Sequence, residues 1–93
     1  MEEITVREKV HHHRLVATEH FKQRAIEREI DLDDIYHVVN KEYDRIRLYC
    51  YCGKVAYISN RITFIFEVRP SEIILITAIK DKKDNPDVRM VVM

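Results

Sequence analysis

Apolar positions along this chain keep two different periods, and the change between them divides it. Residues 3–10 (EITVREKV) alternate weakly, which predicts a short edge strand or a loose arm. Three adjacent histidines, His11, His12 and His13, follow, and residues 14–17 read as a short apolar lead into a helix. That first helix is expected over about 19–30, with Thr18 as N-cap because a threonine hydroxyl accepts from first-turn amides. Position 21 is Phe, so no capping box is present. Asp31, Asp33 and Asp34 mark a break and the start of a second helix, about 33–42, where carboxylates complement the macrodipole. Ile35, Val38, Val39 and Glu42/Tyr43 recur there at i, i+3, i+4 and i+7/8, an amphipathic pattern, while His37 falls off the stripe and reads as surface.

From Asp44 the period becomes two. Ile46, Leu48, Cys50 and Cys52 fall on one face of an expected strand, and Arg45, Arg47, Tyr49 and Tyr51 on the other. Gly53 and Lys54 make the turn, and residues 55–59 return as a short strand. After a turn at Asn60 and Arg61, Ile62, Phe64, Phe66 and Val68 alternate against Thr63, Ile65, Glu67 and Arg69, as a half-buried strand does. Pro70 and Ser71 turn the chain again. Residues 72–80 (EIILITAIK) are apolar on both faces except at Thr77, which predicts a central, doubly covered strand. Residues 81–87 form a polar loop, and residues 88–93 a last edge strand or a tail that packs on a partner. The expected class is α+β: two N-terminal helices packed on one face of a four- to five-stranded antiparallel meander. One domain covers 1–93, with 1–14 as arm or edge strand, 15–80 as core and 81–93 as loop and edge strand or tail.

The length suits one domain with a modest core, and 46% apolar with 34% charged residues is a globular balance. Sixteen basic and sixteen acidic residues cancel. No long-range field then draws nucleic acid in, so any such binding needs a local patch. Cys50 and Cys52 are too close in sequence for an unstrained disulfide and read as free thiols in a reducing compartment. No apolar run approaches about 18 residues and no signal-peptide core is present. The expected setting is the cytoplasm (the host cytoplasm for a viral protein), with no membrane partner.

Composition adds three candidate sites to this pattern. His20, Arg24 and Arg28 follow at i, i+4 and i+8 and lie within roughly 80° of helix arc, one stripe bordering Phe21 and Ala25. The plain alternative is a solvated charge stripe paired with Glu19, Glu27 and Glu29, the commoner outcome on helices. The Arg45, Arg47, Tyr49 and Tyr51 face can hold phosphates and stack bases, and it equally resembles the wet face of a sheet. His11 and His13 share a face when extended. A zinc site joining them to Cys50 and Cys52 needs four convergent ligands, which nothing in the sequence demands. The cysteines read most simply as small core residues. No metal or cofactor is therefore expected. Gly-rich phosphate loops and serine elbows are missing, which argues against a nucleotide-binding enzyme or an esterase.

The pattern Thr18-x-His20-x3-Arg24-x3-Arg28-x-Ile30, the acidic start of a second helix and the late strand Ile73-Ile74-Leu75-Ile76-Thr77 resemble a known family over about residues 15–80. It is similar to the RelE-like branch of the barnase–EndoU–colicin–RelE ribonuclease superfamily, small domains that include toxins of toxin–antitoxin pairs. The resemblance implies metal-independent RNA cleavage, in which a 2′-hydroxyl attacks the adjacent phosphate to give a 2′,3′-cyclic phosphate and a 5′-hydroxyl end. His20 matches the family's histidine and suits proton transfer near neutral pH. Arg24 and Arg28 match its arginines and suit bidentate phosphate binding. Thr77 matches the late hydroxyl, Lys80 is a further expected phosphate contact, and Arg45, Arg47 and Tyr49 complete the expected nucleic-acid surface. A second proton carrier would come from His11, His13 or a tyrosine. The implied partners are RNA, an antitoxin-like protein and a second copy of the chain. The alternative is a non-enzymatic nucleic-acid- or protein-binding module of the same fold, dimerising through an edge strand.

Overall fold

A computed structural model describes residues 3–10, 12–59, 62–79 and 89–93, with residues 3–10 and 79 described through their backbone. The chain opens with an antiparallel hairpin of β1 (Glu3–Val10) and β2 (His13–Thr18). Two helices follow, α1 (Glu19–Glu27) and α2 (Leu32–Lys41), then a single helical turn α3 (Tyr43–Ile46) that tightens into a 3-10 turn at Arg47–Tyr49. Strands β3 (Lys54–Ile58), β4 (Thr63–Val68), β5 (Glu72–Ile79) and β6 (Arg89–Val92) complete it. The class is α+β. The sheet is mixed, in the order β1-β2-β5-β4-β3-β6, with β2 and β5 parallel and every other pair antiparallel.

The expected antiparallel meander holds only for β3, β4 and β5. The helices are not N-terminal, because residues 14–17 belong to β2 and not to a helical lead. Their partner explains why. Arg14 to Ala17 pair with Glu72 to Leu75, so this short run is covered on both faces and shows no alternation to read. Leu15, Val16 and Ala17 are all buried, as are Ile73, Ile74 and Leu75. The central place expected for residues 72–80 is the place β5 occupies. Both end segments expected as edge strands run along the edges, as β1 and β6.

The expected strand over residues 44–52 is helical instead. Tyr43, Ile46 and the pair Tyr49/Cys50 recur at helical spacing, and Ile46 is fully buried. Leu48 and Cys52, assigned by alternation to an inner face, are exposed. Two periods fitted this stretch, and contact with the core selects the helical one. All three helices send apolar residues into one cluster: Phe21 and Ala25, Ile35 and Val39, Tyr43 and Ile46 meet Leu15, Phe64, Phe66 and Leu75.

Helix α1 ends at Glu27, short of the expected 30. The Ile30 amide donates to the Ala25 carbonyl at 2.8 Å and the Glu29 amide to that of Ile26 at 3.2 Å. This is a Schellman closure with Glu29 in the left-handed region at φ 55°, a place usually taken by glycine. Asp31 caps helix α2, its carboxylate accepting the Asp33 amide at 2.9 Å.

Candidate functional site

Thr18 sits where β2 becomes α1. Its backbone is extended, and its Oγ1 accepts the Phe21 amide at 3.1 Å, capping the helix. The same hydroxyl donates to the Ile76 carbonyl at 2.9 Å. Ile76 is the extra residue of a bulge, since Leu75 pairs with Phe66 and Thr77 with Ile65. A bulge takes one residue out of the regular ladder. Thr18 supplies the partner for that displaced carbonyl and ties the start of α1 to the bend in β5.

Two residues beyond the cap, His20 is exposed on the first turn of α1. Thr77, one residue beyond the anchored carbonyl, is half-buried and shares with Ile65 the sheet face opposite the helices. Arg24 follows His20 by one turn, half-exposed, and its Nη1 donates to Glu27 Oε2 at 3.1 Å. Pairing with a glutamate was the plain alternative for this stripe, and it applies to Arg24. Arg28 caps α1, its amide donating to the Arg24 carbonyl at 3.0 Å. Its Nε is buried and has no hydrogen-bond partner among the described residues. Lys80 and His11 lie outside the described residues.

The remaining expected contacts are elsewhere. Arg45 belongs to α3, while Arg47 and Tyr49 belong to the 3-10 turn, so no flat strand face carries them. Arg45 donates to Glu42 at 2.8 Å, and Arg47 lies 3.6 Å from Asp44. This segment is anchored at the opposite end of β2 from α1. His13 opens β2 and hydrogen-bonds through Nδ1 to the Tyr43 hydroxyl of α3 at 2.7 Å, whereas Thr18 closes β2 at the start of α1. His13 and Thr18, to which the two groups are tied, stand the length of a strand apart, about 17–20 Å.

The His13–Tyr43 pair is the contact that sequence reasoning missed. Both residues are buried and their rings meet edge-on, 5.4 Å between centroids. Burial holds the His13 pKa below its ordinary 6.5; a backbone hydrogen bond at Arg69 opposes this and His12 adds to it. The one available signal was Tyr43 itself, which falls on the apolar stripe of the second expected helix. His13 is thus committed to Tyr43, at the far end of β2 from His20. Cys50 is half-buried, Cys52 is exposed, and both are free thiols. Among the described residues no three His, Cys, Asp or Glu side chains converge as metal ligands would.

The arrangement places an accessible imidazole and a partly exposed guanidinium on one helix beside the β5 bulge, while the Thr77 hydroxyl lies on the other face of the sheet and does not join them. The imidazole can accept a proton and the guanidinium can hold an anion. No family model, curated protein or solved structure matches the chain.

Proposed function

We infer that this domain binds RNA at the junction of α1 and the β5 bulge, and cleaves it without a metal ion. The observation that supports the reading is the Thr18–Ile76 hydrogen bond, which joins the two motif segments far apart in sequence. In the proposed reaction His20 takes the 2′ proton, the 2′ oxygen bonds to phosphorus, and the bond to the 5′ oxygen breaks. That oxygen takes a proton from water. Arg24 and Arg28 hold the charge that grows on the phosphorane. The Arg24–Glu27 pair is solvent-exposed, and pairs of that kind contribute only about 0–1 kcal/mol, so a phosphate can compete for the guanidinium. The test is incubation of end-labelled single-stranded RNA with the protein in EDTA, followed by analysis of product ends. Cyclic-phosphate and 5′-hydroxyl ends are expected; intact RNA at high protein concentration overturns the cleavage step.

A second reading, a non-enzymatic module that pairs through an edge strand, has its own support. β6 is an outer strand, and Val91, Val92 and Met93 are 46%, 50% and 69% exposed. The Met93 amide donates to the Lys54 carbonyl at 2.9 Å, so odd-numbered positions of β6 turn their amides to β3. Met90 and Val92 then direct theirs to the open edge. A second copy, or a strand from an antitoxin-like protein, would pair there. Light-scattering mass in solution tests it: a dimer that Val92→Lys converts to monomer supports this reading, and a wild-type monomer removes self-pairing.

A further inference from the structure

Tyr51 is the most exposed large hydrophobic residue in the described fold. It is 85% exposed, and its backbone is left-handed at φ 69°. That conformation favours Gly, Asn or Asp over an aromatic residue, because the Cβ crowds the neighbouring carbonyl. Among the described residues no hydrogen bond or ring contact to the side chain offsets this. Leu48, three residues earlier, is 71% exposed. The fold therefore holds a tyrosine in an unfavourable backbone state and presents it to solvent, a combination that stability of the monomer does not explain.

The surroundings of the ring say what it meets. Residues 45–54 (RIRLYCYCGK) include three cations, Arg45, Arg47 and Lys54, and no carboxylate, within a chain of zero net charge. All three cations are exposed. Arg45 pairs with Glu42 at 2.8 Å and Arg47 lies 3.6 Å from Asp44, in exposed contacts that a phosphate can replace; Lys54 stands opposite Glu67 in the β3–β4 ladder and makes no ion pair among the described residues. A flat, wet aromatic face among cations matches a nucleobase with its phosphates on either side. A protein partner of comparable size would centre on apolar area from which charge is depleted, and three cations lie within six residues of Tyr51 along the chain.

We propose that Tyr51 is a base-stacking residue for single-stranded RNA, with Arg45, Arg47 and Lys54 contacting the backbone of the same strand. This rests on the RNA-binding reading above and adds a second contact region to it. The turn leads into the start of β3, the α1 junction follows the end of β2, and β5 and β4 lie between these two strands. The substrate is accordingly a single strand long enough to follow the sheet, and a dinucleotide occupying the α1 junction is blind to Tyr51.

Fluorescence anisotropy with a labelled single-stranded RNA of about 12 nucleotides tests this, within the site sizes of known single-strand binders. Wild type, Tyr51→Phe and Tyr51→Gly are compared at one salt concentration, with thermal melts of each. Glycine removes the ring and suits the left-handed backbone, so Tyr51→Gly should melt no lower than wild type. Its affinity should fall about 5- to 150-fold, the loss expected for one stacked base. Tyr51→Phe keeps the π-face and should bind as wild type. Salt-dependent binding that is unchanged in Tyr51→Gly overturns the stacking assignment and leaves the RNA reading intact. A Tyr51→Phe variant as weak as Tyr51→Gly overturns stacking in favour of a hydroxyl contact. Wild type that fails to bind RNA at low salt overturns both.

Discussion

Replacing Thr18 by valine removes one hydroxyl and keeps the shape of the side chain, so it isolates the two hydrogen bonds that hold α1 to β5. The first is the helix cap, the Phe21 amide on Oγ1 at 3.1 Å. Loss of such a cap costs about 1 kcal/mol. The second leaves the Ile76 carbonyl without its partner at 2.9 Å, beside a residue only 2% exposed. That bond is part-buried, and an acceptor left unsatisfied away from water costs about 1–3 kcal/mol. Thr18→Val should therefore destabilise the domain by about 2–4 kcal/mol, a drop of roughly 10–25 °C in melting temperature for a domain of this size. Thr18→Ser keeps both bonds and should lose far less. The assay is urea and thermal unfolding followed by circular dichroism on the three proteins. A Thr18→Val variant within about 0.5 kcal/mol of wild type would refute the argument, because a surface change of no consequence has that size. So would Thr18→Ser falling as far as Thr18→Val, because serine keeps both hydrogen bonds.

Other consequences follow from the same contacts. Burial lowers the His13 pKa, so below the ordinary 6.5 the unfolded chain binds more protons than the folded one, and stability should fall with pH from there down to the folded pKa and then level. The slope is at most about 1.4 kcal/mol per pH unit, His13→Gln should flatten it just below pH 6.5, and urea unfolding there would show equal slopes if the reasoning is wrong. Glu29→Gly should stabilise by about 0.5–1 kcal/mol in the same assay by relieving the left-handed position that closes α1, and a loss would contradict the Schellman assignment. Glu27→Gln releases Arg24 and should tighten RNA binding by about two- to fivefold at low salt; weaker binding would count against Arg24 as a phosphate contact.

Much of the architecture is visible along the chain, and its gaps have physical causes. The alternation of Phe64, Phe66 and Val68 against Ile65 and Glu67, and the unbroken apolar run of β5, read directly as a half-buried and a central strand. Helices α1 and α2 follow from their caps and apolar stripes. β2 is hidden because its covering partner lies 58 positions away, Arg14 against Glu72, and no local period reports a parallel neighbour. Residues 43–50 satisfy both a helical and a strand period, and only the burial of Ile46 beside an exposed Leu48 decides between them. That His20 and Arg24 stand one turn apart on α1 is legible from spacing, whereas Arg28 falls just past the helix as its cap. The junction of α1 with β5 is not, because that depends on a hydroxyl from Thr18 meeting a carbonyl released by a bulge. Nor could spacing reveal that Arg45, Arg47 and Tyr49 fold to the other end of β2, where Tyr43 meets His13.

The most direct test of the central claim is cleavage of single-stranded RNA in EDTA by wild type and His20→Ala, both verified as folded. His20 is exposed and its replacement disturbs no described hydrogen bond, so a change in rate reports on chemistry and not on folding. The account predicts a wild-type product bearing a 2′,3′-cyclic phosphate and a rate about 10²- to 10⁴-fold lower in His20→Ala, the usual contribution of one proton-transfer group. Equal rates in the two proteins would contradict it.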